Sequence, residues 1–85
     1  MYLYINESLN DYTHYVGISN HLIRRLSQHN TGKVRSTKSK IPWITIYIEE
    51  HKGIKSARER EKYLKSYKGV KEKREIINQK VLMYR

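Results

Sequence analysis

The sequence predicts an α/β fold of the α+β type, a three-stranded antiparallel sheet flanked by helices in the order β-β-α-β-α-α. Two short tyrosine-rich runs near the N-terminus and a third run, Trp43–Glu50, predict the strands. Apolar residues at three- and four-residue spacing in the segments between and after these runs predict the helices. With 85 residues the chain has the length of a single domain, which we assign to residues 1–85.

The first two strands are predicted to pair as a hairpin. They cover Tyr2–Ile5 and Tyr12–Gly17, and the turn-forming residues 6–11 separate them. The hydroxyls of Tyr4 and Tyr15 converge if the register places these residues opposite each other. The alternative is an ordinary cross-strand packing pair of aromatic rings.

The first helix is predicted to start after Ser19 or Asn20, either of which can cap it, and to end at residue 28 or 29. Gly32 follows as a residue suited to the left-handed conformation that ends many helices. Two more helices are expected over residues 54–68 and 70–79, with a break at Gly69. The last five residues are interpreted as an extra strand or a loose end.

The third strand is predicted to alternate strictly between its two faces. One face would carry Ile44, Ile46 and Ile48, and the other would carry Trp43, Thr45 and Tyr47.

The chain is strongly basic, with 18 Lys and Arg against 8 Asp and Glu and a formal net charge of +10. Residues 1–31 are neutral overall, so the whole excess lies in residues 32–85. Such a charge on a small domain indicates a polyanionic partner, usually nucleic acid. The predicted interface comprises Lys33, Arg35, Lys38, Lys40, Trp43, Lys65 and Lys68.

The densest cationic group, between residues 33 and 40, contains no acid and several Ser and Thr residues. This composition predicts a loop that contacts phosphate groups, and the alternative is a solvated surface loop. For Trp43, stacking on a base competes with ordinary packing beside Pro42.

Composition also excludes several classes of protein. The chain has no Cys, which excludes a disulfide framework, a Cys-based zinc site and thiol catalysis. No apolar run approaches the ~18 residues of a membrane span, and the N-terminus does not have the pattern of a secretory signal. We therefore expect a cytoplasmic protein without a membrane partner.

One acidic residue lies on an apolar stripe. In the second predicted helix this stripe, at spacings of three and four, comprises Ile54, Ala57, Glu61, Leu64 and Lys68. A buried carboxylate is costly unless it is paired or bound to a cation. Glu61 is therefore interpreted either as part of a structural salt bridge with an arginine or as a ligand for a hard divalent cation.

The first helix carries two polar residues beside its apolar stripe. Arg25 lies three residues after Leu22, and His29 lies four residues after Arg25, so both belong to one face. An arginine there suits bidentate recognition of phosphate, and a histidine one turn later suits proton transfer or a phosphate contact. Simple pairing of Arg25 with Glu61 is the alternative.

Several short pieces of sequence occur in a fixed order, namely Tyr2-Leu3-Tyr4, Tyr15-Val16-Gly17, residues 24–32, Thr37-Lys38, Pro42-Trp43, residues 47–49 and residues 57–65. Together they resemble the GIY-YIG endonuclease family over nearly the whole chain, and most of all its small standalone bacterial members. Tyr2-Leu3 stands where the first motif of the family has Gly-Ile, but the functional tyrosine of that motif is retained.

The resemblance implies the same sheet flanked by helices, and it implies catalytic roles for Tyr4, Tyr15, Arg25, His29 and Glu61. Glu61 matches the metal-binding glutamate of the family. Asn78 is the nearest match to an asparagine that the family often has near the end of the domain.

The activity that the resemblance implies is hydrolysis of DNA phosphodiester bonds with one Mg²⁺ or Mn²⁺ ion at Glu61. Arg25 would neutralise charge on the phosphorus, Tyr15 or His29 would take the proton of the attacking water, and Tyr4 would orient that water. A tyrosine needs a nearby cation to act as a base near neutral pH.

Several points stay open at this level. They are the choice between Tyr15 and His29, the strandedness of the substrate and the use of RNA. No element is typical of a major-groove recognition helix, so low sequence specificity is expected. We expect a monomer or a weak homodimer. The competing hypothesis is a non-catalytic nucleic-acid-binding module on the same fold, and a small basic ribosome-associated protein is the third.

Overall fold

The computed structural model describes the backbone of residues 1–84 and the side chains of residues 1–82, and it confirms the predicted fold class and element order. Its elements are β1 (Tyr2–Ser8), β2 (His14–Ser19), α1 (Leu22–Asn30), a 3₁₀ helix (Arg35–Lys40), β3 (Trp43–Glu50), α2 (Ile54–Lys65) and α3 (Val70–Tyr84). None of the helices in this part of the chain is long and apolar enough to cross a membrane.

The sheet has the order β2-β1-β3, and both pairs of strands are antiparallel. The central strand β1 is longer than predicted, because residues 6–8, interpreted as a turn, continue it. Their polar side chains are buried and each makes at least one hydrogen bond, although Asn6 Nδ2 has no partner in the described residues. The Thr45 hydroxyl donates to Asn6 Oδ1 at 2.7 Å, and the Ser8 hydroxyl donates to the Lys40 carbonyl at 2.6 Å. Because these partners are distant in sequence, the turn-forming residue types of this segment could not predict them.

The two faces of the sheet differ in chemistry. On one face Leu3, Ile5 and Val16 form the hydrophobic core with Leu64 of α2 and Ile77 of α3. The other face carries Tyr4, and its buried residues from α1, the 3₁₀ helix and β3 are His29, Thr37 and Trp43. The polar residues singled out in the sequence therefore gather mainly on the side of α1.

The strict alternation predicted for β3 is wrong. Ile5 pairs with Tyr47 and the next residue, Asn6, pairs with Thr45, so Ile46 is an extra residue between them. This register shift changes which side chains share a face. Ile48, which pairs with Tyr4, lies on the same face as Thr45 and Trp43, whereas Tyr47 turns to the hydrophobic core.

Both ends of α1 differ slightly from the prediction, and the helix ends at Asn30 rather than at residue 28 or 29. His21, rather than Ser19 or Asn20, is the N-terminal cap residue, and the Ser19 hydroxyl instead accepts the His21 backbone N–H at 2.9 Å. At the other end Gly32 has φ +79°, the left-handed conformation expected there.

Three further boundaries are corrected by the structure. The predicted cationic loop is a 3₁₀ helix, in which the Thr37 backbone N–H donates to the Val34 carbonyl at 3.1 Å. Helix α2 ends at Lys65, three residues before the predicted end. Helix α3 continues to Tyr84, so residues 81–84 are helical rather than a strand or a loose end, and residue 85 lies outside the described residues.

Candidate active site

Tyr4 is seated over a glycine of the neighbouring strand. It lies opposite Gly17 in the β1–β2 register, and a Cβ atom at Gly17 would be 2.5 Å from the Tyr4 hydroxyl oxygen. The register therefore does not place Tyr4 opposite Tyr15, which faces Asn6. The two tyrosines are diagonal neighbours, with ring centroids 6.2 Å apart, and the space above Gly17 is filled by the Tyr4 ring.

His29 is fully buried and bonded at both ring nitrogens. Its Nε2 is 3.0 Å from the Tyr4 hydroxyl, and its Nδ1 is 2.8 Å from the Thr37 hydroxyl. Burial, together with the nearby Arg25 charge, lowers the pKa of His29 to about 4. The imidazole is therefore neutral near pH 7, and its 0% exposure leaves it no contact with solvent. This geometry gives His29 a hydrogen-bonding role toward Tyr4 rather than a direct contact with a water molecule.

Arg25 is held by neutral groups. Its Nε donates to the Tyr4 hydroxyl at 3.3 Å, and its Nη1 donates to Gln28 Oε1 at 3.1 Å. The hydrogen bond to Tyr4 raises the pKa of the Arg25 guanidinium above its ordinary value. Neither partner carries a negative charge, so the guanidinium is fixed in direction without being neutralised. Such an arginine is suited to an anionic ligand such as a phosphate group.

Glu61 approaches the two tyrosines from α2. Its Oε2 is 3.1 Å from Lys65 Nζ, and the same Nζ lies 5.5 Å from the centroid of the Tyr15 ring. The ion-pair partner of Glu61 is therefore Lys65 of the same helix. The sequence left open a salt bridge with an arginine, and with Arg25 in particular, and the described residues show neither. Burial raises the pKa of Tyr4 and the hydrogen bond from Arg25 opposes this, while electrostatic interactions with Tyr15 and, least of all, with Glu61 raise the pKa further.

The structure confirms only part of the apolar stripe predicted for α2. Ala57 and Leu64 are buried as predicted, but Ile54 is 53% exposed and Lys68 lies beyond the helix on the surface. The side chain of Glu61 is 22% exposed, so the carboxylate is half-buried at the rim of the stripe. A rim position reduces the cost of burying the charge and keeps the carboxylate within reach of solvent.

Glu61 offers a single carboxylate to a hydrated metal ion, and that carboxylate is paired with Lys65. In the described part of the chain, no group of three or more His, Asp or Glu residues could hold a metal. Mg²⁺ retains several water ligands and is commonly bound through one or two carboxylates together with substrate phosphate. A single half-exposed carboxylate beside Tyr15 is consistent with that habit, whereas it could not form an all-protein cage.

Of the two alternatives for Trp43 the structure shows packing, so its place in the predicted nucleic-acid interface is wrong. Its side chain is 3% exposed, and its Nε1 donates to the Thr37 carbonyl at 3.0 Å. The ring packs edge-on against Tyr15 and tilted against His29, with centroids 6.5 and 6.2 Å away. Trp43 is therefore a wall of the site that no nucleobase reaches.

The other residues predicted to contact nucleic acid or to belong to the site lie in different parts of the structure. Lys33, Arg35 and Lys38 are exposed on and before the 3₁₀ helix, whereas Lys40 lies 3.8 Å from the Asp11 carboxylate. Asn78 is not brought to the site. It lies on α3, which packs on the opposite face of the sheet, and it lines a pocket there with residues that include His14 and Arg74.

Two residues of this cluster, Thr37 and Gln28, were given no role by the sequence. Thr37 lies in a stretch of Lys and Ser residues without apolar periodicity, so nothing indicates that it is only 2% exposed. Gln28 is three residues after Arg25, and that helical spacing is the one signal that could have identified it.

Comparisons with known proteins identify the family of the chain. The family model of the GIY-YIG catalytic domain matches residues 1–74. UPF0213 proteins of Bacillus cereus, Bacillus thuringiensis subsp. konkukian and Bacillus anthracis are each 32% identical over 56 residues, which is 65% of this chain. The matched segment spans 58% of the length of these relatives. No solved structure matches the chain.

Proposed function

Because the chain belongs to the GIY-YIG family of nucleases, we propose that it is a metal-dependent endonuclease that hydrolyses DNA phosphodiester bonds with low intrinsic sequence specificity. The observation that carries the proposal is Arg25, a fixed guanidinium whose hydrogen-bond partners, Tyr4 and Gln28, are both neutral. A site that only bound nucleic acid would not need a carboxylate close to the phosphate. The Glu61 carboxylate lies 3.1 Å from Lys65 Nζ, and this Nζ lies 5.5 Å from the centroid of the Tyr15 ring.

In the proposed reaction Arg25 binds the scissile phosphate and stabilises the negative charge that develops on it. Tyr15 takes up the proton of the attacking water while its own phenolic proton passes to solvent, a role that suits Tyr15 because it is partly exposed whereas His29 is fully buried. Tyr4 and His29 act by holding Arg25, because both are buried. Glu61 would hold the Mg²⁺ or Mn²⁺ ion, which supplies Lewis-acid stabilisation of the leaving oxygen when bound.

Cations outside the site would hold the rest of the strand. Lys33, Arg35 and Lys38 are exposed in and just before the 3₁₀ helix, whose buried Thr37 contacts His29. Lys68 is exposed just beyond α2. Contacts with backbone phosphates position a nucleic acid but carry no sequence information, which agrees with low specificity.

The test is cleavage of end-labelled single-stranded and duplex DNA in Mg²⁺ or Mn²⁺ by the wild type and by Glu61→Ala. The proposal expects cleavage of at least one substrate by the wild type and a loss of roughly a hundredfold or more in the variant. Glu59→Ala is the matched control, since Glu59 is an exposed acid on the same helix, and it should cleave like the wild type.

Two results would argue against the enzyme. One is a wild type that binds DNA and cleaves neither substrate with either metal, which would favour a non-catalytic binding module on this fold. The other is a Glu61→Ala variant with undiminished cleavage, which would remove Glu61 from the proposed metal site. Retained DNA binding by Glu61→Ala, measured beside its cleavage, separates chemistry from affinity.

A further inference from the structure

A continuous chain of hydrogen bonds runs inward from Arg25 to the backbone of the 3₁₀ region. Arg25 Nε is 3.3 Å from the Tyr4 hydroxyl, which is 3.0 Å from His29 Nε2. His29 Nδ1 is 2.8 Å from the Thr37 hydroxyl, which is 3.3 Å from the Val34 carbonyl. Tyr4, His29 and Thr37 are each at most 2% exposed, so water cannot supply alternative partners.

The direction of the protons along this chain is set at its two ends. Arg25 Nε can only donate, and the Val34 carbonyl can only accept. Between them stand three groups with one proton each, namely the Tyr4 hydroxyl, the neutral His29 ring and the Thr37 hydroxyl. If every proton points inward, Tyr4 donates to Nε2, Nδ1–H donates to Thr37, and Thr37 donates to Val34.

The opposite arrangement leaves a buried proton without an acceptor. If Thr37 donated to Nδ1, the proton of His29 would be on Nε2 and would point at the Tyr4 oxygen, which already accepts from Arg25. The Tyr4 proton would then have no acceptor, since Arg25 and His29 are the hydrogen-bond partners of this hydroxyl in the described residues. An unsatisfied buried polar group costs about 1–3 kcal/mol, so the inward arrangement is favoured.

We propose that Thr37 is a positioning residue that holds His29 in the Nδ1-protonated form and thereby leaves the Tyr4 oxygen as an acceptor dedicated to Arg25. Thr37 does not touch the substrate. It acts through His29 and Tyr4 on the direction of the guanidinium. The expected effect of Thr37 on DNA cleavage rests on the proposed function, but its expected effect on the protonation of His29 does not.

The direct test is long-range ¹H–¹⁵N correlation NMR of the His29 ring at pH 7, which distinguishes the two neutral tautomers. The wild type is expected to be protonated at Nδ1, and Thr37→Ser is expected to keep that form. Thr37→Val has a similar volume without the hydroxyl. Either Nδ1–H or the Tyr4 proton then lacks an acceptor, so the variant is expected to lose the exclusive Nδ1 form and to show both tautomers. A wild type protonated at Nε2 overturns the proposal, as does a Thr37→Val variant whose ring is as exclusively Nδ1-protonated as that of the wild type. The wild-type spectrum alone decides the first point even if Thr37→Val does not fold.

Cleavage kinetics supply the second test. Thr37→Val should lower kcat by about tenfold with KM nearly unchanged, because a misdirected Arg25 stabilises the transition state less well. Thr37→Ser should restore kcat, and Thr31→Val, which removes an exposed threonine hydroxyl, should have no effect. A Thr37→Ser variant as slow as Thr37→Val would overturn the positioning role in favour of packing. A wild type without nuclease activity would refute the proposed function, and the NMR result would still decide the tautomer.

Discussion

Two side-chain clusters of this molecule each join an arginine, a tyrosine and a histidine, and they differ in what surrounds the arginine. In the first, Arg25 donates to Tyr4 and Gln28, which are neutral. In the second, which we call the brace, Arg60 of α2 pairs with Glu49 of β3 at 3.0 Å and with Glu72 of α3. Tyr47 and His51 complete the brace through contacts of 2.7 and 2.6 Å with Glu49.

The difference is the basis for proposing a structural role for Arg60 and a functional role for Arg25. Hydrogen bonds with Glu72 and Glu49 raise the pKa of Arg60, and the two carboxylates compensate its charge where β3, α2 and α3 meet. Arg25 keeps its whole charge and faces a site with a second cation and one carboxylate. The residue types are nearly the same in both clusters, so our proposal that an anion binds at Arg25 depends on the partners of the arginine rather than on its presence.

The first cluster should be sensitive to a single methyl group. Gly17→Ala would place a Cβ atom 2.5 Å from the Tyr4 hydroxyl oxygen, so the ring must move and the contacts with Arg25 and His29 with it. We expect the free energy of unfolding in urea to fall by about 1–3 kcal/mol. Gly53→Ala is the control, since a Cβ atom there meets nothing within 4 Å. Equal stability of the two variants would show that Tyr4 is not seated as described.

The histidine of the first cluster should make stability depend on pH. Burial and the Arg25 charge lower the pKa of His29 from 6.5 to about 4, so the unfolded chain binds this proton more readily. The stabilising contribution is present above pH 6.5 and is lost as the pH falls toward 4, by about 2 kcal/mol at pH 5. Urea unfolding at pH 7.5 and pH 5 should show this loss in the wild type and a smaller one in His29→Gln. Parallel pH profiles of the two proteins would contradict it.

The brace should affect stability without affecting chemistry. Burial raises the pKa of Glu49, but hydrogen bonds from Tyr47, His51 and Arg60 outweigh it and lower the pKa below its ordinary value. Its stabilising contribution is therefore present above pH 4.5 and is lost at more acidic pH. Glu49→Gln should reduce the free energy of unfolding by about 1 kcal/mol at pH 7 and leave the cleavage rate of the folded protein unchanged. A slower enzyme of unchanged stability would place the brace in the active site.

The smallest expected effect concerns the cations near the first cluster. Replacing Arg35 and Lys38 by Ala should weaken DNA binding modestly and reduce the slope of log affinity against log salt by about 2, because two phosphate contacts are lost. The control is the replacement of Lys52 and Lys55, two exposed lysines outside the 3₁₀ helix. Filter binding from 50 to 200 mM salt measures both slopes. A slope as steep as that of the wild type in the first variant would separate the 3₁₀ helix from the DNA.

Much of the first cluster could be predicted from sequence because its signals are local. The four-residue step from Arg25 to His29 and the two-residue period of β1 correctly placed these side chains on faces that adjoin each other. The extra residue Ile46 was not predictable, since a register shift depends on the partner strand. Arg60 and Thr37 were missed for a related reason. The partners Glu49 and Glu72 lie 11 and 12 residues from Arg60, and Thr37 is buried by His29 of another element.

The proposed difference between Arg25 and Arg60 can be measured in one experiment. Single-turnover cleavage of labelled DNA in Mg²⁺ or Mn²⁺ is measured for the wild type, Arg25→Gln and Arg60→Gln under conditions in which all three are folded. The uncompensated charge of Arg25 predicts a loss of about a hundredfold or more in Arg25→Gln. Arg60→Gln should cleave at nearly the rate of the wild type, although it unfolds at lower urea concentration. Equal losses in both variants, or a larger loss in Arg60→Gln, would contradict the assignment of Arg25 as the phosphate-binding arginine.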